Sequence, residues 1–193
     1  EGNGYSREWE AEAAERGLSP IKNATEAYEV YHEQQTLDLF AGLGVLAANV
    51  VEARFEILNE TYVKKLQIEA RIIGDMCLNH VIPAAVRYQN ILIENIKGIK
   101  EIFGNDYLQY CSSEIDTLKK ISTYINNVSA DVEALVEARK KANRIESIAL
   151  RAKAYSHDVK DMMDKVRVSA DNLEMLIDDE MWPLPKYREL LFF

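Results

Sequence analysis

Residues 144–181 read RIESIALRAKAYSHDVKDMMDKVRVSADNLEMLIDDEM. Within them Ile148, Ala152, Tyr155, Val159, Met162, Val166, Ser169, Leu173 and Leu176 alternate spacings of four and three without a slip. That period keeps every one of them on one side of a helix, whereas a strand would divide them between two faces. The segment is therefore a long amphipathic rod carrying a heptad seam. A single apolar stripe is stable only when another stripe covers it, so the rest of the chain must supply partners.

Two partners are visible upstream. Between Asp106 and Lys141, the residues Cys111, Ile115, Leu118, Ile121, Ile125, Val128, Val132 and Leu135 recur at three and four, with Asn126-Asn127 expected to loosen the middle. From Val45 to Phe103 helix-friendly residues run on, with Leu58, Tyr62, Leu66, Ile73 and Cys77 as one stripe and Ala85, Leu92, Ile96, Ile99 and Phe103 as its continuation. Pro83 interrupts this rod. It removes a backbone donor and crowds the carbonyl four residues earlier, so a kink or break is expected between Asn79 and Pro83, with Gly104 as the stop.

Helices of some 35 residues are roughly 50 Å long and have little to pack on except one another. The fold class is thus all-α: an antiparallel bundle of three to four long helices, with short N-terminal helices and a Pro-rich, apolar C-terminal tail. Ser6 can cap a helix reaching Arg16, with Trp9 and Ala13 on one face and Gly17 beyond its end. Ser19-Pro20 turns the chain, Thr25 is expected to cap a second helix over 26–35, and an apolar segment with Leu37, Leu39 and Phe40 is broken by Gly42 and Gly44. The chain divides into short helices and loops (1–44), a bundle (45–181) and a tail (182–193). In the tail, Trp182-Pro183-Leu184-Pro185 ends the last rod, and Tyr187, Leu190, Leu191, Phe192 and Phe193 form an apolar end that wants a partner.

Composition narrows the function classes. At 193 residues and 48% hydrophobic the chain can bury a core, and 8 Gly with 4 Pro leave its centre almost unpunctuated. A formal charge of −9 gives no general attraction to nucleic acid or an anionic membrane surface. No apolar run approaches the roughly 20 residues that span a bilayer, and no basic-plus-apolar leader opens the sequence, so a soluble protein is expected. Cys77 and Cys111 sit in apolar helical patterns, which suits a reducing, cytoplasmic compartment. The opening Glu1-Gly2-Asn3-Gly4, without Met, suggests a piece of something longer.

Catalytic constellations are incomplete. A two-metal bundle site needs Glu-x-x-His on two helices; Glu29-Val30-Tyr31-His32 is one match, but neither His80 nor His157 follows a Glu by three, so an exposed His32 is the favoured reading. Cys77 and His80 could be half of a zinc site, yet no second Cys/His pair completes it, and His80 fits better as a structural residue bonding carbonyls freed near Pro83. Gly42-x-Gly44 follows no strand and makes no phosphate loop. No catalytic, cofactor-binding or metal-ligating residue is assigned. The acidic run Asp178-Asp179-Glu180 opposes the dipole at its helix end, which marks either a solvated surface or a basic partner nearby.

Several longer segments carry a resemblance. Asn3-Gly4-Tyr5-Ser6-Arg7-Glu8-Trp9, Gln67-Ile68-Glu69-Ala70-Arg71, the stretch from Asn79-His80-Val81-Ile82-Pro83 to Arg87-Tyr88-Gln89-Asn90, and the closing Asp179-Glu180-Met181-Trp182-Pro183-Leu184-Pro185-Lys186-Tyr187-Arg188-Glu189-Leu190-Leu191-Phe192 resemble type III glutamine synthetases, in register across the chain. The resemblance implies a parent enzyme that joins ammonia to glutamate through γ-glutamyl phosphate, using ATP and Mg or Mn, on a catalytic domain upstream of Glu1. It implies a ring-shaped homo-oligomer in which this region, inactive alone, serves subunit or ring assembly or regulation. The partners so implied are the catalytic domain and other subunits. Candidate structural or interface residues are Asn79, His80, Pro83, Arg87, Tyr88 and Asn90, then Trp182, Pro183, Pro185, Tyr187, Arg188 and Phe192. Arg87 and Asn90 are expected to bond freed backbone or acidic groups. The alternative is a free-standing helical-bundle interaction module without enzyme activity, whose heptad seams bind partner helices and whose likeness reflects shared ancestry only.

Overall fold

Ser6 opens the first helix as the sequence predicts. A computed structural model describes residues 4, 6–19 and 21–191, apart from the side chains of Tyr187 and Arg188. The Ser6 hydroxyl accepts the Trp9 N–H at 3.2 Å, capping α1 (Arg7–Glu15), and Gly17 follows at φ 72, a backbone state that glycine adopts without penalty. The next cap is Asn23 and not Thr25. The Asn23 side-chain Oδ1 accepts the Glu26 N–H at 2.9 Å and the Thr25 hydroxyl at 2.8 Å, while Thr25 itself is buried. One helix over 26–35 is replaced by α2 (Ala24–Glu29), a 3₁₀ turn Val30–His32 and α3 (Gln34–Gly42), because Glu33 is extended at ψ 135.

Three rods follow. The first is α4 (Ala48–Met76), a π-turn Cys77–Val81 and α5 (Ile82–Phe103); the second is α6 (Leu108–Asn143); the third is α7 (Ile148–Ala154), a π-turn Tyr155–Val159 and α8 (Lys160–Glu174), after which comes a short α9 (Tyr187–Leu191). Cross-rod bonds show the antiparallel order. Tyr155 donates to Asn143 at 2.8 Å and Ser169 to Asp131 at 2.8 Å, so numbers rise on one rod as they fall on the other, and Gln89 donating to Ser122 at 2.7 Å together with Gly74 facing Val132 shows the same for the first pair. The fold is all-α, and the described residues hold no strand.

The break at Pro83 takes a particular form. Proline at the start of α5 cannot donate to the Asn79 carbonyl, and its ring crowds that oxygen; the preceding turn widens, making room for the ring, and the Ile82 N–H reaches back five residues to the Cys77 carbonyl. The rod is thus continuous through a π-turn. Asn126 and Asn127 do not loosen α6; its irregular residue is Cys111, at φ −137 and ψ 24.

The seam of the third rod is buried or half-buried throughout, as is the stripe from Cys111 to Leu135. In the first rod the deepest line is Val51, Phe55, Asn59, Val63, Ala70 and Gly74, with Leu58, Tyr62, Leu66 and Ile73 half-buried beside it. Small and polar residues hold the centre there because α6 comes close. A Cβ on Gly74 would lie 3.5 Å from Val132 Cγ1. Buried Asn59 is satisfied by donating to the Phe55 carbonyl at 3.0 Å. Phe103, expected on the stripe, is 42% exposed and stacks on Tyr110 at 4.1 Å.

Burial sets the chemistry of Cys77, 2% exposed at the first π-turn. Desolvation pushes its thiol up to about 11 from 9.0. Below pH 9 folded and unfolded chains both hold the proton; between 9 and 11 only the unfolded chain ionises, so stability falls over that window by up to about 3 kcal/mol. Urea unfolding at pH 8, 9 and 10 should show this decline, and Cys77→Ala should flatten it. An equal slope in that variant would place the alkaline loss elsewhere.

Candidate interaction surface

Two of the four segments that carried the resemblance, 79–90 and 179–192, contribute to one core. Val81, Ile82 and Tyr88 from the first and Trp182 and Leu184 from the second belong to one hydrophobic cluster, together with Ile121, Leu173 and Ile177. Trp182 is 8% exposed, and its backbone N–H is held by the Asp178 carbonyl at 3.0 Å. The start of the tail therefore folds back as a lid on its own bundle. Pro183 and Pro185 are exposed at the turn, and Leu190 and Leu191 remain exposed on α9. Phe192 and the side chains of Tyr187 and Arg188 lie outside the described residues, as do Tyr5, Pro20 and Phe193.

The residue fastening this lid was not among those singled out. The Lys186 ammonium donates to the Glu174 carbonyl, the last of α8, at 3.1 Å and also pairs with Asp179. A cation at a helix C-terminus satisfies an orphan carbonyl and complements the dipole. The acidic run thus has its basic partner within the same chain, and Asp178 contributes by accepting the Glu180 N–H at 2.8 Å. The sequence signal for Lys186 was this acidic run, read without a partner.

The polar residues around Pro83 have other fates than expected. Arg87 and Asn90 are exposed, with no hydrogen bond or ion pair among the described residues, and exposed His80 has none either. The backbone bond that closes the π-turn runs from the Ile82 N–H to the Cys77 carbonyl, and none of these three side chains takes part in it. Asn79 is engaged, donating to Asp75 at 2.6 Å. What the segment gives the core is Val81, Ala84 and Ala85, each at most 1% exposed. Pro83 and Tyr88 are half-buried.

The remaining candidates resolve into packing. His32 lies against Phe55, ring centroids 3.9 Å apart, and 3.4 Å from the Glu52 carboxylate; Glu29 pairs with Lys153 at 3.0 Å. Among the described residues no three His, Cys, Asp or Glu side chains converge as a metal requires, and no helix is long and apolar enough to cross a membrane. A cleft of about 510 Å³ between α6 and α8 is lined by Lys141, Arg144, Asp158 and Asp161, open to solvent.

Fold and surface together define an all-helical bundle domain, closed by its own tail and bearing exposed apolar residues along its helices. A profile described as glutamine synthetase C-terminal domain matches residues 1–100. The chain belongs to that family. It is 42% identical over its full length to a glutamine synthetase of Bacteroides fragilis (strain YCH46), covering 26% of that protein. It is 30% identical over 99% of its length to a glutamine synthetase of Butyrivibrio fibrisolvens, covering 27%, and 29% identical over 99% to a type-3 glutamine synthetase of Dictyostelium discoideum, covering 26%. The chain thus spans about a quarter of the length of these relatives. Glu29 and His32, the Glu-x-x-His pair of the sequence, are engaged elsewhere, Glu29 with Lys153 and His32 with Glu52 and Phe55.

Proposed function

We propose that this chain is a non-catalytic C-terminal helical domain of a type III glutamine synthetase, serving contacts with the catalytic domain and between subunits. The observation that carries the reading is family membership, with relatives named glutamine synthetase matching the chain from end to end. The whole protein would join ammonia to glutamate with ATP and Mg or Mn, through groups outside these residues. Unpaired, buried Cys77 and Cys111 support a reducing, cytoplasmic setting.

The test compares the isolated chain with the longer polypeptide that carries it. With glutamate, ammonia, ATP and Mg, the longer protein is expected to release glutamine and the isolated chain none. Glutamine made by the isolated chain would overturn the reading.

A further inference from the structure

The cleft of about 510 Å³ between α6 and the third rod has walls of opposite sign. Lys141, near the end of α6, and Arg144, at its cap, supply the cations; Asp158 in the π-turn and Asp161 in the first turn of α8 supply the acids opposite. Glu137 also lines the cleft, but its carboxylate is neutralised by the Lys140 ammonium at 2.7 Å. The other four charges have no such partner. Among the described residues, none of Lys141, Arg144, Asp158 and Asp161 makes a side-chain hydrogen bond or ion pair, and no salt bridge crosses the cleft although both signs line it.

The walls are pinned on either side. The Tyr155–Asn143 bond joins the rods beyond one end of the cleft and the Ser169–Asp131 bond beyond the other, so the site is formed before any ligand arrives. The acidic wall has a second peculiarity. Asp158 stands where the Lys160 N–H reaches back five residues to the Tyr155 carbonyl, and single π-turns of this kind recur at functional sites. Pro83 accounts for the π-turn of the first rod, but no proline lies between Pro83 and Pro183, so the one under Asp158 has no such cause.

With Glu137 neutralised, two cations face two anions. A net anion such as phosphate is drawn to one wall and repelled by the other, and a polyamine meets the reverse; a molecule carrying both charges satisfies both walls. We propose that this cleft binds a free, neutral α-amino acid by its zwitterionic head. The carboxylate accepts N–H bonds from Lys141 and Arg144, the latter able to offer two in parallel, and the ammonium donates to Asp158 and Asp161. Ala134, Ala138 and Met162 give the ligand side chain an apolar floor. Such a small-molecule site goes beyond the proposed contacts with the catalytic domain and other subunits, and does not depend on them.

The test is amide chemical-shift mapping of the chain titrated with glycine, L-alanine, L-methionine and L-glutamine, each to about 20 mM, well above a millimolar dissociation constant. At least one is expected to bind with a Kd of about 1 mM or tighter and to move the signals of residues around 137–144 and 158–162. Arg144→Gln and Asp158→Asn should each weaken that binding at least about tenfold, the loss of one charge-assisted bond, while the thermal transition is unchanged because both side chains are exposed and unpaired. The N-acetyl and carboxamide forms of the same amino acid, each lacking one charge, should weaken it as much. No shift with any of the four, shifts confined to other residues, or binding unmoved by both variants overturns the proposal. Phosphate or spermidine binding as tightly as the amino acid overturns it too. The readout is a shift and not glutamine synthesis, so its failure is separate from failure of the family reading.

Discussion

Replacing Trp182 with alanine is expected to destabilise the domain by about 3–5 kcal/mol, the cost of emptying a large aromatic site in a packed core. The indole is 8% exposed and belongs to the same cluster as Ile121, Leu173 and Ile177, so its loss opens the level at which the third rod ends. For a domain of this size that corresponds to a fall of roughly 10 °C in Tm. Trp182→Phe should cost much less. Its ring refills most of the space, and the indole Nε1–H it removes is buried without a hydrogen-bond partner among the described residues. Lys186→Met, which frees the Glu174 carbonyl while keeping the apolar stem, should fall between the two. Thermal unfolding of the three variants gives the ordering. A Trp182→Ala protein as stable as its parent would mean that the tail is held from outside this chain.

The sequence marks Trp182-Pro183-Leu184-Pro185 as the stop of the last rod and Tyr187, Leu190, Leu191, Phe192 and Phe193 as an apolar end, and leaves open whether the tail meets another subunit or folds back on its own bundle. Composition marks a segment as apolar but does not say which neighbour covers it. The lid closes because Lys186 lies far enough along the tail to reach back to the end of α8, a distance that a period-based reading does not see. The rods themselves were legible, since their spacings express the helical repeat and nothing else competes for it. Within them the two π-turns differ. The one at Cys77–Val81 announced itself through Pro83, although as a kink; the one at Tyr155–Val159 left no mark, because Ala152, Tyr155, Val159 and Met162 keep the same three-and-four spacing on either side. Its trace is Ser156, buried next to Tyr155 with its hydroxyl unpaired among the described residues.

The polar residues around Pro83 depart from the sequence expectation for a related reason. A proline break predicts carbonyls in need of side-chain donors, which points to His80, Arg87 and Asn90. The turn before the proline widens, these side chains face solvent, and the buried contributors are Val81, Ala84 and Ala85. Alanine carries little hydrophobic signal, yet a helix that must lie close to its neighbours needs small residues at the contact. Ala70 and Gly74 play the same part in α4.

Tyr155→Ala is expected to be the other severe substitution, about 3–5 kcal/mol, since the ring is fully buried at the second π-turn. The informative variants are milder. Tyr155→Phe keeps the ring and removes the bond to Asn143, which joins the end of α6 to the start of the third rod, and should cost about 1 kcal/mol. Asn143→Ala should cost a similar amount, and the double variant little more than either alone, because the two side chains share one interaction. Strict additivity would show that the bond contributes nothing and that Tyr155 acts by packing only. The phenol offers a second readout. Burial raises its pKa above 10.0, ahead of the opposing pull of Arg139 and the Asn143 bond. Its part in alkaline destabilisation therefore begins above pH 10, where the unfolded chain ionises first, and is absent at pH 9. The decline between 9 and 10 should vanish with Cys77→Ala, and the steepening above 10 should lessen with Tyr155→Phe. Two substitutions, one at each π-turn, would thus separate the two buried acids by the pH at which each matters.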